Sequence, residues 1–300
     1  MKIFDLHSDI LYDLYAHCIK GNNNRFNDYH LPQLSDSIVE GGIWALYSPR
    51  DFDLQAATKL ALSAIPKTIY SRYQIVLGFE GLRNLPSSGS IEDYYKIGFR
   101  HASLTWNEEN RYATGVKGNP NRGLTASGRR LLHKMNDLDM IVDLAHLNEK
   151  SFYDVIAFGC RNIIFSHGNL KSLCNHPRNL SDDQLKALKE ANGLLGLTLA
   201  GNFVAKNKAE QTVGRFLDHI DMAVRLIGID NVAFGFDFMD YFTEDYPDSN
   251  LRDITDVRFV YKIVDGMRRR GYNEIEIAKI TYMNFYNRYQ TKIYRSENYD

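Results

Sequence analysis

The sequence lacks three features that would place it in particular classes of protein. Its three cysteines, Cys18, Cys160 and Cys174, show neither the spacing of a metal site nor a disulfide framework. No run of about 18 apolar residues occurs, so no membrane span is expected. The 36 Lys and Arg residues nearly balance the 37 Asp and Glu residues, which gives no basic footprint for binding nucleic acid.

The start of the chain also lacks the apolar core of a signal peptide, because Asp5, His7 and Asp9 interrupt it. No low-complexity tract, long linker or repeat motif is evident. We therefore expect a cytoplasmic protein with neither nucleic-acid nor membrane partners. Hydrophobic residues make up 44% of the 300 positions, which is enough for a large core in one big domain or two small ones.

What does recur along the chain is a short, β-rich apolar run followed by a helical pattern. The eight runs are residues 3–8, 43–47, 74–79, 101–106, 140–146, 162–167, 194–199 and 232–238. This alternation indicates parallel βα units, which build either an open doubly wound sheet or a barrel. The count of eight favours a (β/α)8 TIM barrel, formed by a single domain over residues 1–300.

Local helix signals agree with this pattern. Ser181 and Gln184 have the spacing of a capping box, and Thr125 is placed to cap the next helix upstream. Residues 216–227 and 257–267 carry apolar side chains three and four apart, so each helix can lay one face on a barrel.

The longest stretch without a helical or strand pattern is residues 107–122, which is polar and interrupted by glycine and proline. In a barrel this stretch would follow strand four on the C-terminal face. Loops of this length are more often functional than idle, so we predict an active-site loop that could act as a lid.

Metal-binding side chains stand at the ends of several predicted strands. Three of the nine histidines, His7, His146 and His167, end apolar runs, and the acidic residues Glu80 and Asp237 end two others. Active sites of such barrels gather at the C-terminal ends of the strands. Imidazole and carboxylate groups together suit zinc or a similar divalent ion.

Each of these signals is weak alone. His7 and Asp9 form an H-x-D pair that would share one face of a strand, yet such pairs are common. A single strand-end histidine is more often a hydrogen-bonded structural residue than a ligand. The joint pattern of several ligand-type residues at the same end of different strands is much stronger. We assign structural roles to the remaining histidines and to one acid, namely His17, His30, His101, His133, His176, His219 and Asp143.

Several segments together resemble one family. Residues 5–9, 78–81, 142–146, 165–167, 176–183 and 235–238 are similar, in order and spacing, to the signature blocks of the membrane dipeptidase (renal dipeptidase) family, peptidase M19. The resemblance covers nearly the whole chain. It implies a metal-dependent, amidohydrolase-like barrel with a dinuclear metal site at the C-terminal face of the strands. The expected enzyme is a zinc metalloprotease of the dipeptidase type.

The resemblance also implies the ligands of two divalent metal ions, with zinc as the expected metal. His7 and Asp9 would bind the first ion, His146 and His167 the second, and Glu80 would bridge both. Two metals about 3.5–4 Å apart can hold a bridging hydroxide at neutral pH and polarise the scissile carbonyl.

Four further residues receive roles on the same basis. Asp237 would be the catalytic acid and base, and Arg178 would bind the terminal carboxylate of the substrate. Family members usually have a histidine after strand four where this chain has Trp106, followed by Asn107, and we expect both to contact substrate. The tyrosine that usually follows strand seven is missing, because none occurs between residues 153 and 241. The metal site is therefore predicted to be intact and the substrate pocket altered.

Three functions remain open at this point. The first is hydrolysis of the amide bond of dipeptides, L,L or L,D, by a metal-bridging hydroxide. The second is hydrolysis of another small amide or N-acyl amino acid at the same metals. The third is a non-catalytic binding protein on the same barrel. The first and second require a small dipeptide-like or amide substrate, and the family resemblance allows a homodimer.

Overall fold

Eight parallel strands form the frame of the structure. The computed structural model describes residues 1–242 and 249–294. Within them the strands close into one barrel in the order β1 to β8. They are β1 (Ile3–Ser8), β2 (Val39–Tyr47), β3 (Gln74–Glu80), β4 (Phe99–Ser103), β5 (Ile141–Asp143), β6 (Ile163–Phe165), β7 (Leu194–Leu197) and β8 (Val232–Phe234). The (β/α)8 barrel predicted from the sequence is thereby confirmed.

At least one helix follows every strand. The helices are α1 (Ile10–Cys18), α2 (Leu31–Ser35), α3 (Leu54–Ser63), α4 (Ile69–Arg72), α5 (Ile91–Lys96), α6 (Ala126–Asp137), α7 (Glu149–Phe158), α8 (Asp182–Glu190), α9 (Gly201–Val204), α10 (Val213–Ile227), α11 (Tyr261–Arg269), α12 (Glu274–Ala278) and α13 (Asn284–Tyr289). In the part of the chain that the structure describes, none of them is long and apolar enough to cross a membrane.

The predicted helix starts are confirmed. Ser181 and Gln184 form a reciprocal capping box at the start of α8, in which each side chain accepts a hydrogen bond from the other residue's backbone amide. The hydroxyl of Thr125 accepts a hydrogen bond from the amide of Gly128 at the start of α6. Side-chain oxygens thus satisfy amides that have no partner within the helix.

Several strands end earlier than predicted. The runs 140–146 and 232–238 contain β5 and β8, but these strands stop at Asp143 and Phe234. His146 and Asp237 take positive φ angles of 69° and 57°, a left-handed conformation that no β ladder accommodates. Asp9 likewise follows β1, at the N-cap position of α1. The prediction that His7 and Asp9 share one strand face was therefore wrong for Asp9.

Contacts within the chain divide it into two compact units. Unit 1 contains residues 1–8, 24–42 and 166–290, and unit 2 contains residues 9–23, 43–165 and the end of the chain from residue 291. Unit 1 carries β1, β7 and β8, unit 2 carries β3 to β6, and β2 is shared between them. The single-domain organisation over residues 1–300 stays a prediction.

The core of unit 1 forms around β1, β7 and β8. Asp5 of β1 pairs with Phe234 of β8, and Leu197 of β7 pairs with the same residue. On the other side of β1 the ring of Phe4 stacks on that of Phe285, with centroids 3.8 Å apart. Burial of these large apolar side chains supplies the main stabilisation of the unit.

The core of unit 2 combines apolar stacking with one buried polar pair. Phe79 of β3 stacks on Phe99 of β4 with ring centroids 4.2 Å apart. His101 was expected at the wrong end of its strand for chemistry, and it lies in the middle of β4. Its Nε2 lies 3.1 Å from Oδ2 of Asp143 at the end of β5, and both side chains are buried. The structural roles expected for these two residues agree with this contact.

Candidate metal centre and substrate pocket

In unit 1, two histidines that are predicted metal ligands lie beside the carboxylate that is the predicted catalytic acid and base. His7 ends β1, His167 follows β6, and their ring centroids are 4.0 Å apart. Nε2 of His7 lies 3.8 Å from Oδ1 of Asp237. The backbone amide of Asp237 also donates a hydrogen bond of 3.3 Å to the carbonyl of His7. The exposed fractions of the three residues are 0%, 1% and 7%, so all are shielded from bulk water.

The position of His167 depends on the residue before it. The hydroxyl of Ser166 lies 2.7 Å from Nδ1 of His167, which engages that nitrogen and favours Nε2 as a coordinating atom. A Cβ atom at Gly196 of β7 or at Gly235 after β8 would collide with the carbonyl oxygen of Ser166. Glycine at these two positions therefore leaves room for the backbone carbonyl of Ser166, the residue directly before His167.

Asp5 holds the backbone around His7 and Asp237. Its Oδ1 accepts hydrogen bonds from the amides of His7 at 3.2 Å and of Phe236 at 2.8 Å, and the side chain is buried. Burial raises the pKa of the Asp5 carboxyl to about 7, and the two hydrogen bonds oppose part of that rise. The Asp5 carboxylate thus connects Phe236, two residues after β8, to His7 near the end of β1.

If His7 binds metal as predicted, Asp5→Ala should lower kcat/KM by about 10–100-fold, the usual loss when a residue that orients a metal ligand is removed. Asp5→Asn is the matched control, because it keeps an acceptor oxygen whose neutral hydrogen bonds are roughly half as strong. The measurement is kcat/KM together with the metal content of each variant. An Asp5→Ala enzyme with native activity and native metal content would show that the ligands need no such support.

Arg178 lies beside His167 in the same unit. Its guanidinium donates a 3.4 Å hydrogen bond to the carbonyl of His167 and stands 5.5 Å from the centroid of the Phe203 ring. Only 7% of Arg178 is exposed. A guanidinium that is held out of bulk water and carries five donors is suited to bind a carboxylate by two parallel hydrogen bonds.

In unit 2, Glu80 and His146 form the second group of ligand-type side chains. Oε1 of Glu80, at the end of β3, lies 2.6 Å from Nε2 of His146, and the two residues are 4% and 3% exposed. Nδ1 of His146 lies 3.0 Å from the side-chain oxygen of Asn107. Asn107 thus supports a predicted metal ligand through its amide oxygen, and its role in substrate binding stays a prediction.

Asp9 is, with Glu80, one of the two carboxylates of the predicted ligand set. It occupies the N-cap position of α1 and is 3% exposed. Within the described residues its carboxylate accepts no capping hydrogen bond from α1, although aspartate is a favoured capping residue. The side chain is therefore not used to stabilise the helix that it precedes.

Trp106 lies three residues after the end of β4 and stands next to His146, with ring centroids 6.2 Å apart. Its indole also contacts Tyr47 at the end of β2, edge to face, with centroids 5.2 Å apart. The residue is half-buried. An aromatic surface thus adjoins a predicted ligand at the place where family members usually carry a histidine.

The predicted active-site loop, residues 107–122, is held together by hydrogen bonds. The guanidinium of Arg122 donates hydrogen bonds to the carbonyls of Asn110 and Ala113 and to the hydroxyl of Thr114, at 2.6–3.1 Å. The buried Tyr112 donates to the carbonyl of Leu85 at 3.1 Å. Such a network holds the segment as a fixed part of unit 2, and a role as a lid stays a prediction.

Two of the histidines assigned structural roles, the buried His219 and the half-buried His176, are shielded from solvent to different degrees. The ring nitrogens of His219 lie 3.2 Å from the amide of Leu170 and 3.0 Å from the carbonyl of Val204. Burial lowers the pKa of His219 to about 4. Burial and the neighbouring Arg178 lower that of His176 to about 4. Both rings are thus neutral at physiological pH.

Two residues that support the predicted ligands, Asp5 and Ser166, are not among the site residues predicted from the sequence. A signal for Asp5 was present, because residues 5 and 7 alternate on one strand and share a face. Ser166 directly precedes His167, and a hydroxyl next to a ligand histidine is a common partner for its second nitrogen.

Solved structures with the same fold include two metallopeptidases. A metallopeptidase from Rhodobacter sphaeroides, solved with a phosphinate mimic of the dipeptide L-Ala-D-Ala, superimposes with a TM-score of 0.82 and 23% identity over 97% of this chain and 99% of that one. Dipeptidase AC, a metallopeptidase of family M19, gives a TM-score of 0.81 and 25% identity over 96% and 97% of the two chains. These matches extend along nearly the full length of the chain.

Two relatives in sequence match most of this chain. An uncharacterized protein in the pqqA 5′ region of Klebsiella pneumoniae is 30% identical over 70% of this chain and 79% of its own length. Dipeptidase tcpJ of Claviceps purpurea is 28% identical over 92% of this chain, which spans 64% of that protein. The family model for membrane dipeptidases, peptidase family M19, matches residues 64–292. The chain therefore belongs to the membrane dipeptidase family, peptidase family M19, and is a hydrolytic enzyme.

Proposed function

We propose that this enzyme hydrolyses the amide bond of dipeptides, L,L or L,D, with the help of two divalent metal ions, and that the metal is zinc. The observation that carries the proposal is the burial of imidazoles against carboxylates at or just past the C-terminal ends of barrel strands, as with His7 and Asp237 and with His146 and Glu80. The phosphinate dipeptide mimic bound by the Rhodobacter sphaeroides metallopeptidase supports the L,D alternative.

The chemistry of the donor set fits a divalent metal pair. His7 and Asp9 would hold the first ion, His146 and His167 the second, and Glu80 would bridge them. All five residues are 4% exposed or less, and buried charges of this kind normally pair with one another or coordinate metal. Imidazole nitrogen and carboxylate oxygen are the donors of catalytic zinc sites. When bound, such a pair polarises a carbonyl group and supplies a water-derived nucleophile at neutral pH.

Asp237 would move the proton in this reaction. Its carboxylate is 7% exposed and next to His7, so it can accept a proton from the attacking water and donate it to the leaving amine. Arg178 would hold the terminal carboxylate of the dipeptide, because its buried guanidinium offers paired donors. Asn107 would fix the ring of His146 through the contact at Nδ1, and Trp106 would contact the substrate.

A second candidate is hydrolysis of another small amide or of an N-acyl amino acid at the same residues. The observation that favours it is Trp106, because an indole donates one N–H and cannot exchange protons as the usual family histidine can. The third hypothesis, a non-catalytic binding protein, is not supported, since the family comparison shows a hydrolytic enzyme. A cytoplasmic location and a homodimer stay predictions from the sequence.

The test is to purify the protein without chelator, count bound metals by elemental analysis, and assay a panel of L,L and L,D dipeptides. We expect two zinc ions per chain and turnover, loss of turnover after chelation, and recovery with zinc. His7→Ala, His146→Ala and His167→Ala should each lose metal. His133→Ala is the matched control, because that histidine is exposed on α6.

Two outcomes would contradict parts of the proposal. Two bound metals without turnover of any dipeptide would exclude dipeptide hydrolysis and direct the assay to other amides and N-acyl amino acids. Absence of metal after reconstitution with zinc would show that the proposed ligand set is wrong.

A further inference from the structure

A row of aromatic side chains in unit 2 leads from the predicted ligand His146 to the first helix. Trp106 contacts Tyr47, and Tyr47 contacts Tyr12 of α1 edge to face, with ring centroids 5.1 Å apart. We call Trp106, Tyr47 and Tyr12 the aromatic wall. Tyr47 is buried, whereas Trp106 and Tyr12 are half-buried. The wall therefore consists of a fixed central ring between two rings that retain accessible surface.

The backbone of Trp106 is held tightly between two glycines. A Cβ at Gly81, which has a φ of 80°, would lie 3.0 Å from the backbone nitrogen of Trp106. A Cβ at Gly115 would collide with the Trp106 carbonyl. The segment that follows is also fixed, because the amide of Lys117 donates a 2.7 Å hydrogen bond to the carbonyl of Asn107. The backbone of Trp106 is thus sterically confined within unit 2.

The indole is also confined at its side chain. The ammonium group of Lys117 lies 5.9 Å from the centroid of the Trp106 ring, within reach of a cation–π attraction. Tyr47 meets the same ring with its edge, at an interplanar angle of 66°. Both contacts restrict the rotation of the indole, so little conformational entropy remains to be lost when a ligand packs against it.

The chemistry of the wall selects one kind of ligand group. Its polar atoms are one indole N–H and two phenol hydroxyls, and the remaining surface is aromatic carbon. A glycine residue in the substrate would leave that carbon surface exposed to water, whereas a large apolar side chain would cover it. Another aromatic ring would add edge-to-face or offset contacts of the kind that the wall already contains.

We infer that the aromatic wall is the specificity subsite of the enzyme, and that it accepts a large apolar or aromatic side chain of the dipeptide. This inference rests on the proposed dipeptidase function. The wall adjoins His146, so a side chain next to the scissile amide comes within its reach. The loss of the usual histidine thus changes which substrates are favoured, and the ligand residues stay the same.

The test compares kcat/KM for Gly-X and X-Gly dipeptides in which X is Gly, Ala, Leu or Phe. For one of the two positions we expect native enzyme to prefer Phe over Gly by at least about tenfold, because a single methylene in a fitted pocket is worth about 10–200-fold. In Trp106→Ala this ratio should fall close to one, and in Trp106→Phe most of it should remain. Tyr95→Ala is the matched control, since Tyr95 packs against Arg100 elsewhere in unit 2.

A second readout does not depend on turnover. Titration with a Phe-containing dipeptide should change the tryptophan fluorescence of native protein and leave that of Trp106→Phe, which keeps Trp44, unchanged. Equal kcat/KM for all X in native enzyme, or a preference that survives Trp106→Ala, would overturn the inference while leaving the dipeptidase intact. If no dipeptide is cleaved, the proposed function fails, and a missing fluorescence response would then reject the wall as well.

Discussion

Replacing Asp237 by Asn should lower kcat by about 10²–10⁴-fold, the usual contribution of a positioned general acid and base, and leave the metal content unchanged. Asparagine has the size of aspartate and can keep its place beside His7, but its amide cannot accept and return a proton. The carboxylate is held in a left-handed turn after β8, with φ at 57°, so the same conformation is accessible to asparagine.

The measurement is kcat on the best dipeptide, with elemental analysis of the same sample. Asp240→Asn is the matched control, because Asp240 lies three residues further on and its carboxylate accepts hydrogen bonds from Tyr29 at 2.9 Å and Gln33 at 3.2 Å. This variant should keep kcat near the native value. A native kcat in Asp237→Asn would exclude Asp237 as the proton carrier, and loss of metal would make it a ligand instead.

His101→Leu should lower the free energy of unfolding by about 1–3 kcal/mol, the usual cost of leaving a buried polar group without its hydrogen-bond partner. Asp143 would lose the ring of His101 and retain the amide of Ala145, which donates to its Oδ1 at 3.0 Å. A buried carboxylate with one partner fewer is poorly compensated for its lost hydration. The measurement is urea unfolding followed by circular dichroism.

Two variants make this test sharper. His133→Leu removes a histidine that is exposed on α6 of the same unit, and it should change the stability by no more than about 0.5 kcal/mol. The double variant His101→Leu with Asp143→Leu should recover part of the loss, because apolar replacement of a whole buried pair is often neutral. If His101→Leu unfolds like the native protein, the pair contributes no stability.

The barrel could be predicted because its signals are local. Most strands lie within short apolar runs, and the helices between them carry caps such as Ser181 and Thr125 that are evident from the sequence. The ligand-type side chains could be selected for the same reason. In a parallel barrel the C-terminal end of every strand belongs to the active-site face, so His7, His167 and Glu80 stand out by position.

The ends of the strands could not be predicted in the same way. His146 and Asp237 adopt left-handed conformations, which are rare for residues other than glycine and depend on tertiary contacts. The amide of Asp237, for example, is bound by the carbonyl of His7, more than 200 positions earlier in the chain. Periodicity within a short window contains no information on such a contact.

The partners of the predicted residues were equally hidden from a sequence-based argument. Asn107 was selected as a substrate contact because it stands in the block that follows strand four, and the contact of its amide oxygen with Nδ1 of His146 could not be predicted. Asp5 binds the amide of Phe236, which no spacing rule connects to it. Roles that depend on hydrogen bonds between distant segments emerge only when the fold brings those segments together.

The hydrogen-bonded loop of residues 107–122 bears on how the enzyme discriminates between substrates. A segment that must fold over its ligand uses part of the binding free energy to order itself. Here Arg122 and Tyr112 already order the segment through their hydrogen bonds to neighbouring carbonyls. The segment therefore needs little further internal ordering when a substrate binds, so differences in kcat/KM between substrates should reflect the surfaces that they meet directly.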